Sequence, residues 1–596
     1  MRRSIATVCL SGTLDEKLAA AARAGFDGVE LFENDLINSA LAPRDVRARA
    51  DELGLTIDLY QPFRDFEAVA DLEPNLRRAE AKLDVMEELR APTMLACSNV
   101  SPEAIDDDAL AAEQLRALAE RAAARGLTIA YEALAWGRHV NEYDHAWRIV
   151  QLADHPALGV CLDSFHILSR GSDLEAIAAI DKLFYVQLAD APHLSMDVLQ
   201  WSRHYRCFPG QGGLDVAAVL REARAAGYAG PLSLEVFNDV FRQADPDRIA
   251  IDAMRSLLVL EDRLPASAPL DGFAFVEIGV DPESAPDTEA LLQTMGFAHV
   301  GPHRSKPVQL WQHGDIRVVL NHGAGDDDPE VVAVAVQSAD PDRAAARAQA
   351  LLAPVLERRR GDGEADLAAV AAPDGTAVFF CGRDGGWLGD FLALNGRSSS
   401  GVPIDAIDHI TLAQPFEAFD EAVLFYGSVL ELSPGASAEL AAPHGLVRSR
   451  ALADADRRVR IVLNVPALAG TRRGQAELQH VAFATGDALA AARAMRERGA
   501  ELLPIPDNYY DDLAARHEVD AALLADMRDL GVLYDRDAGG ELLHFYSGHV
   551  EGRMFFEVLE RRGGYDGYGA VNSPVRMAAQ RTATRRRDAE HARRRA

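Results

Sequence analysis

Over the first 258 of 596 residues, short apolar runs rich in β-branched and aromatic side chains alternate with longer Ala/Leu/Glu/Arg segments. The apolar runs are "IATVCLS", "GVELFE", "TIDLYQPF", "TMLACSN", "TIAYEAL", "LGVCLDSFH", "LFYVQLAD" and "PLSLEVFN". The segments between them, such as "LDEKLAAAARAG" and "EQLRALAERAAARG", place apolar residues at helical period. They often close on glycine, which adopts the left-handed helix cap without steric cost. Eight strand–helix units in about 250 residues predict an α/β fold, a (β/α)8 barrel over residues 1–258. A doubly wound open sheet is the competing arrangement, but no Gly-x-Gly-x-x-Gly loop follows the first strand.

Pro, Ala and Ser then interrupt the pattern in "EDRLPASAPLDGFAF", so residues 259–272 read as a linker. Beyond the linker the chain repeats itself. "FVEIGV" with "TEALLQTMGF" matches "IDHITL" with "FDEAVLFYGSVLEL"; "VVAVAVQSAD" matches "LQHVAFATGD"; "VFFCG" matches "FFEVLE". Two α+β modules are predicted, residues 273–400 and 401–579. Residues 580–596 form a basic tail with seven arginines from Arg581 onward, read as a solvated, frayed end.

Composition narrows the function classes. A formal net charge of −31 excludes non-specific nucleic-acid binding, which needs cationic surface to displace counterions. The five cysteines are scattered without Cys-x-x-Cys spacing, which argues against a disulfide framework or a structural zinc site. No segment approaches the roughly 20 apolar residues that span a bilayer. A cytoplasmic enzyme acting on a small molecule, without membrane or nucleic-acid partners, is expected. Homo-oligomerisation stays open.

A barrel carries its chemistry at the C-terminal ends of its strands. Those ends offer Glu132 in "AYEAL", Asp163 in "CLDSFH", Gln187 in "YVQLAD" and Glu235 in "SLEVF", from the fifth to eighth strands in turn. Three carboxylates and an amide carbonyl suit a divalent cation such as Mg²⁺, Mn²⁺ or Co²⁺. Without one, the carboxylates would repel and take up protons. Glu30, Glu33, Tyr60, Arg64, Asp65, Ser202, His204 and Arg206 fall at the same mouth. Arginines beside an acidic metal site suit an anionic substrate, because the guanidinium fork grips a carboxylate. His166, three residues past Asp163, is placed to act as a base on an α-proton.

"GFDGVEL", "QPFRDFE", "YEALAWGRHVN", "CLDSFHILSRG" and "FPGQGGLD" resemble the sugar-phosphate isomerase/epimerase-like barrels, and more narrowly the bacterial 3-dehydroshikimate dehydratases, over residues 4–255. The resemblance implies metal ligation by Glu132, Asp163, Gln187 and Glu235, with His166 as base. It sets Tyr60, Arg64, Ser202 and Arg206 near the substrate, with Arg64 and Arg206 sharing in catalysis. It implies conversion of 3-dehydroshikimate to protocatechuate and water, a step of quinate and shikimate degradation. Gln211 and Gly213 in "FPGQGGLD" depart from the acid common in the wider superfamily. A sugar isomerase or epimerase on the same barrel is the alternative; an abasic-site nuclease is disfavoured by the negative charge.

In the second repeat His409, His480 and Glu557 sit in strand-like runs, and two histidines with one carboxylate make a facial triad for Fe(II). Counting along the repeat sets Glu277, Ala333 and Cys381 at the matching positions of the first module. "IDHI", "LQHVAFAT", "PDNYYDDL" and "FFEVLERRGGYDGYG" resemble 4-hydroxyphenylpyruvate dioxygenase, a two-module vicinal-oxygen-chelate protein, over residues 272–579. The resemblance implies Fe(II) or Mg²⁺ at His409, His480 and Glu557, and a pocket reached by Ser449, Asn464, Gln475 and Gln479. His544 replaces a glutamine of that family. Ser573, after Asn572, replaces a pocket phenylalanine, which weighs against a hydroxyphenyl substrate. The C-terminal half is therefore read as a dioxygenase-like metal module, a second active site, or a non-catalytic stabilising or oligomerisation module.

Overall fold

The structure, a computed structural model, describes the chain apart from residues 265–267, 325–327, 395–400, 444, 467–478, 549–553 and 596. It divides into two units, Met1–Leu264 and Pro265–Ala596.

In the first unit, β1 (Arg3–Ala6), β2 (Gly28–Phe32), β3 (Thr56–Phe63), β4 (Thr93–Cys97), β5 (Thr128–Glu132), β6 (Leu158–Asp163), β7 (Leu183–Leu188) and β8 (Leu232–Leu234) form a closed parallel barrel in chain order. β1 pairs with both β2 and β8, which removes the sheet edge. Local chemistry sets the helix ends. Thr13 and Glu16 make a reciprocal capping box on Leu14–Ala24, and Gly25 ends that helix at φ 87°. Inside the barrel, Leu59, Leu95, Ala130, Cys161 and Tyr185 pack as an apolar layer. Above it the strand ends deliver Glu132 and Asp163 as the last residues of β5 and β6, Gln187 within β7, and Glu235 just past β8.

The second unit holds two curled sheets. The first contains β9 (Leu270–Gly279), β10 (Ala298–Pro302), β11 (Val308–His313), β12 (Ile316–Asn321), β13 (Glu330–Ser338), β14 (Ala368–Ala371) and β15 (Ala377–Gly382), in the order β10-β11-β12-β9-β13-β15-β14. The other contains β16 (Ala406–Ala413), β17 (Ser433–Ala442), β18 (Gly445–Ala453), β19 (Arg460–Pro466), β20 (Gln479–Ala484), β21 (Leu533–Arg536), β22 (Gly540–Tyr546) and β23 (Met554–Gly563). Its order is β17-β18-β19-β16-β20-β23-β22-β21.

The strand registers correct one part of the repeat alignment. His480 pairs with Thr411 and Phe555, whereas Ala333 pairs with Glu277 and Ala377. His409 and Glu557 both pair with Ala482, and the equivalent Ala335 pairs with Phe275 and Phe379. The counterparts of His409, His480 and Glu557 are therefore Phe275, Ala333 and Phe379, two residues away from the expected Glu277 and Cys381. A shift of two keeps the sheet face, so the pattern alone could not reveal it. Phe275 and Phe379 touch with ring centroids 5.7 Å apart. Apolar core fills the place that His409, His480 and Glu557 occupy in the second module.

The arginine-rich end is helical, correcting the expectation of a frayed tail. Helix Ser573–Arg595 buries Arg576, Met577 and Gln580 in its first turns. Among the described residues no helix is long and apolar enough to cross a membrane. All five cysteines are buried, and none is in a disulfide.

Candidate functional site

The barrel mouth opens into a cavity of about 910 Å³ lined by Arg64, Glu132, His166, Ser202, Arg206 and Glu235 among others. Asp163 ends β6 and caps the helix Ser164–Arg170. Its Oδ1 accepts the backbone N–H of Phe165 and His166 at 2.7 and 3.1 Å. Its Oδ2 is thereby aimed into the mouth, where Arg206 Nη1 donates to it at 2.7 Å. Burial works to raise the Asp163 carboxyl, but the Arg206 charge, His166 and these hydrogen bonds outweigh it and hold the group below its ordinary range.

Ligand atoms of Glu132, Asp163 and His166 all lie within 4.8 Å of one another. Glu132 Oε1 is buried without a hydrogen-bond partner, and Cys97 Sγ donates to Oε2 at 3.3 Å. Burial first, then the charges of Glu235 and Asp163, push the Glu132 carboxyl well above its usual range. Burial likewise pushes Glu235 up to about 7 although Arg206 opposes it. An orphaned oxygen among crowded, desolvated acids fits a divalent cation, which would relieve the repulsion.

Gln187 lies deeper. Its Nε2 donates to Glu30 Oε2 at 2.7 Å, while its Oε1 accepts from Cys161 Sγ at 3.3 Å. Gln61, which the sequence pattern did not single out, donates from one amide nitrogen to Glu30 at 3.0 Å and to Glu235 at 2.8 Å. The signal for this pair was an acid and an amide inside the otherwise apolar runs "GVELF" and "DLYQPF".

The two arginines have different positions. Arg206 is 1% exposed and spends itself on Asp163, on Glu235 at 3.1 Å and on Ser202 Oγ at 2.8 Å. Ser202 therefore positions Arg206. Arg64 lines the same cavity, and among the described residues its side chain joins no ion pair. Tyr60 is buried and is not part of the cavity lining; its hydroxyl donates to Glu33 at 3.3 Å, and Glu33 also pairs with Lys82. His204 also lines the cavity, paired there with Asp239 at 2.8 Å.

His166 is buried against Trp136, ring centroids 5.0 Å apart. Burial pushes its pKa down to about 3, so the imidazole is neutral. The Ala135 N–H donates to Nδ1 at 3.2 Å. Arg206 Nη2 donates toward Nε2 from 3.2 Å, and Glu132 lies 3.8 Å from the same nitrogen, so Nε2 is the atom that the ring turns toward the acid cluster.

In the second unit, His409, His480 and Glu557 also converge within 4.8 Å. Glu557 Oε2 lies 3.5 Å from His409 Nε2 and 3.2 Å from His480 Nε2. Outer partners aim these atoms. His409 Nδ1 donates to Asp408 at 2.9 Å, and Asp408 is held by Arg561 and Arg460. Asn572 Nδ2 donates to His544 Nε2 at 2.9 Å, so His544 Nδ1 carries the hydrogen and donates to Glu557 Oε1 at 2.6 Å. Burial works to raise Glu557, but hydrogen bonds from His480 and His544 hold it well below its ordinary range. Burial lowers His480 to about 4, leaving it neutral and able to ligate. Ligand atoms presented together with such outer bonds fit a divalent metal.

Of the expected pocket residues, Asn464 keeps a buried oxygen without a partner and faces Ser449 across the β18–β19 ladder. Gln479 does not join them. It precedes His480 on β20 and so faces the opposite side of the sheet, where its side chain accepts the Val331 N–H at 2.7 Å. Gln475 lies outside the described residues.

Residues 18–259 match the family described as xylose isomerase-like TIM barrel. Residues 266–386 match the N-terminal domain of hydroxyphenylpyruvate dioxygenase, and 406–545 the glyoxalase/bleomycin resistance protein/dioxygenase superfamily. A 3-dehydroshikimate dehydratase of Pseudomonas aeruginosa is 46% identical over 629 aligned residues, which cover 98% of this chain and 99% of the relative. One from Pseudomonas putida is 45% identical, covering 97% and 98%. A solved structure described as a xylose isomerase-like TIM barrel/4-hydroxyphenylpyruvate dioxygenase fusion protein superposes with a TM-score of 0.91 at 44% identity, covering 98% of this chain and 99% of that one. Likeness at that level from end to end, on a closed barrel followed by tandem curled sheets, makes this chain a member of the 3-dehydroshikimate dehydratase family in its form fused to hydroxyphenylpyruvate dioxygenase-like modules.

Proposed function

We propose that the barrel dehydrates 3-dehydroshikimate to protocatechuate in quinate and shikimate breakdown, with Mg²⁺, Mn²⁺ or Co²⁺ held by Glu132, Asp163, Gln187 and Glu235. The observation that carries this reading is the buried acid cluster facing a neutral His166 and an unengaged Arg64 in one cavity. When bound, the cation polarises the substrate ketone and so acidifies the adjacent hydrogen. Arg64 grips the carboxylate, since Arg206 is committed to Asp163 and Glu235. His166, neutral at the cavity wall, takes the α-proton. The imidazolium so formed gives a proton to the β-hydroxyl as it leaves as water. Loss of water followed by tautomerisation gives an aromatic ring, so the reaction needs no redox partner.

For the C-terminal half we propose a divalent metal centre, Fe(II) or Mg²⁺, on His409, His480 and Glu557. Five buried cysteines kept as thiols favour a cytoplasmic home.

The test is incubation of metal-depleted and metal-restored protein with 3-dehydroshikimate, following protocatechuate by its ultraviolet absorbance. Turnover should require added metal and fall at least about a hundredfold in His166→Ala, in line with loss of the general base. Turnover that ignores chelation, or near-normal rates in that variant, would discard the scheme.

A further inference from the structure

Arginines deep in this protein find carboxylates. Arg206 meets Asp163 and Glu235, Arg255 meets Asp252, and Arg561 meets Asp408. Arg576 is different. It is 6% exposed, and its Nη1 donates to the neutral amide oxygen of Gln580 at 2.7 Å. Among the described residues no carboxylate lies within ion-pair distance of it. Its other partners are the Tyr546 side chain and, beyond ion-pair distance, the charge of Glu557. A buried cation held mainly by neutral groups is costly, and proteins retain one where a ligand completes it.

Its location points to the ligand. Helix Ser573–Arg595 lays Arg576 over the sheet face that carries the metal cluster. The guanidinium carbon is 5.0 Å from the Phe555 ring centroid and 5.6 Å from that of Tyr546. Phe555 in turn stacks on His480, centroids 4.7 Å apart at 22°. Arg576 thus stands about one aromatic ring away from the cluster, on the same face. The surroundings are rich in positive charge. Asp408 is outnumbered by Arg460 and Arg561, Glu557 neutralises only half of a dication, and Arg576 adds to the excess.

We propose that the second cluster binds an aromatic vicinal diol bearing a carboxylate, with the two adjacent oxygens toward His409, His480 and Glu557 and the carboxylate on Arg576. Two histidines and one carboxylate leave adjacent positions open for a pair of oxygens. A flat ring laid beside Phe555 would bridge the same distance to the guanidinium. A 2-oxo acid that chelates through its own carboxylate, such as 4-hydroxyphenylpyruvate, would turn a neutral phenol toward Arg576 and leave it unpaired. Protocatechuate, the product assigned to the barrel, has the required groups at the required ends. The inference rests on reading the cluster as a metal centre and the barrel as the dehydratase.

The experiment uses the full-length chain carrying Glu132→Gln, which weakens the barrel metal site while removing an already unfavourable buried charge. Co²⁺ is added as a spectroscopic probe, and the same protein with His409→Ala serves as the blank for bands arising elsewhere. Protocatechuate, catechol and 4-hydroxyphenylpyruvate are titrated against the visible cobalt bands. Protocatechuate should shift them and bind at least tenfold more tightly than catechol. Arg576→Leu should erase that preference while leaving catechol affinity unchanged, and Arg576→Lys should retain part of it. Equal affinity for protocatechuate and catechol, or a preference that survives in Arg576→Leu, overturns the proposal. Cobalt bands that ignore every ligand overturn it while leaving the metal reading intact. Absence of bands sensitive to His409→Ala removes both. Dehydratase turnover of the unmodified chain is measured separately, so failure of the barrel reading is recognised on its own.

Discussion

Asp163 performs two tasks with two oxygens, and two substitutions separate them. Asp163→Asn keeps an oxygen for the backbone N–H groups of Phe165 and His166 but presents an amide N–H where Arg206 Nη1 donates at 2.7 Å. Removing one partner of a buried ion pair costs about 3–5 kcal/mol. The cost here should lie at the lower end, about 3 kcal/mol, because Glu235 still accepts from Arg206 at 3.1 Å. Asp163→Ala also loses the helix cap, a further cost of about 1 kcal/mol. Both variants should lose metal affinity in the barrel by at least about a hundredfold, since neither supplies an anionic ligand. Stability is read in metal-free protein by denaturant titration, following fluorescence from Trp136 and Trp201, which pack on His166 and Phe165. Metal affinity is read by competition with a chromophoric chelator. Equal stabilities for the two variants would refute the division of labour between Oδ1 and Oδ2. Wild-type metal affinity in Asp163→Asn would refute the ligand assignment.

Two further predictions concern neighbouring acids. Glu30→Gln should weaken barrel metal binding about tenfold, because Glu30 Oε2 accepts from both Gln187 and Gln61 and a neutral amide oxygen orients these two side chains less firmly than a carboxylate oxygen; chelator competition showing unchanged affinity would count against it. Glu67 is 2% exposed, hydrogen-bonded to the Asn99 N–H and the Tyr131 hydroxyl, and burial pushes its pKa from 4.5 up to about 7. Across that window the folded protein keeps a proton that the unfolded chain has released, so stability falls as pH rises from 4.5 to 7 and levels off above. Glu67→Gln should remove this slope and stabilise the barrel at pH 8 by up to about 3 kcal/mol, with little gain at pH 4. Denaturation midpoints with the same pH dependence in both proteins would contradict it.

Much of this architecture is written along the chain. Alternating strand and helix periods with glycine-closed helices are local properties, and eight of them leave few ways to bury the apolar runs other than a closed barrel. Because strand ends fall on one rim, reading the last polar residue of each run was enough to find Glu132, Asp163 and Glu235, and the repeat drew attention to His409, His480 and Glu557. What stayed illegible depends on direction and register. Gln479 neighbours a ligand in sequence yet faces the other side of the sheet. Phe275 and Phe379 stand in for His409 and Glu557 only once strand pairing is known, since a slip of two residues preserves alternation. Arg64 and Arg206 look alike as letters, but folding commits one to Asp163 and Glu235 and leaves the other open. Nδ1 of His166 meets the amide of Ala135, thirty-one residues away, and Nε2 is the atom left facing Glu132. The sequence by itself determined which chemical groups reach each mouth, because periodicity and strand order are set by neighbouring residues. Only the tertiary structure decided which atom of each group is free to act, because that depends on partners brought together from distant segments.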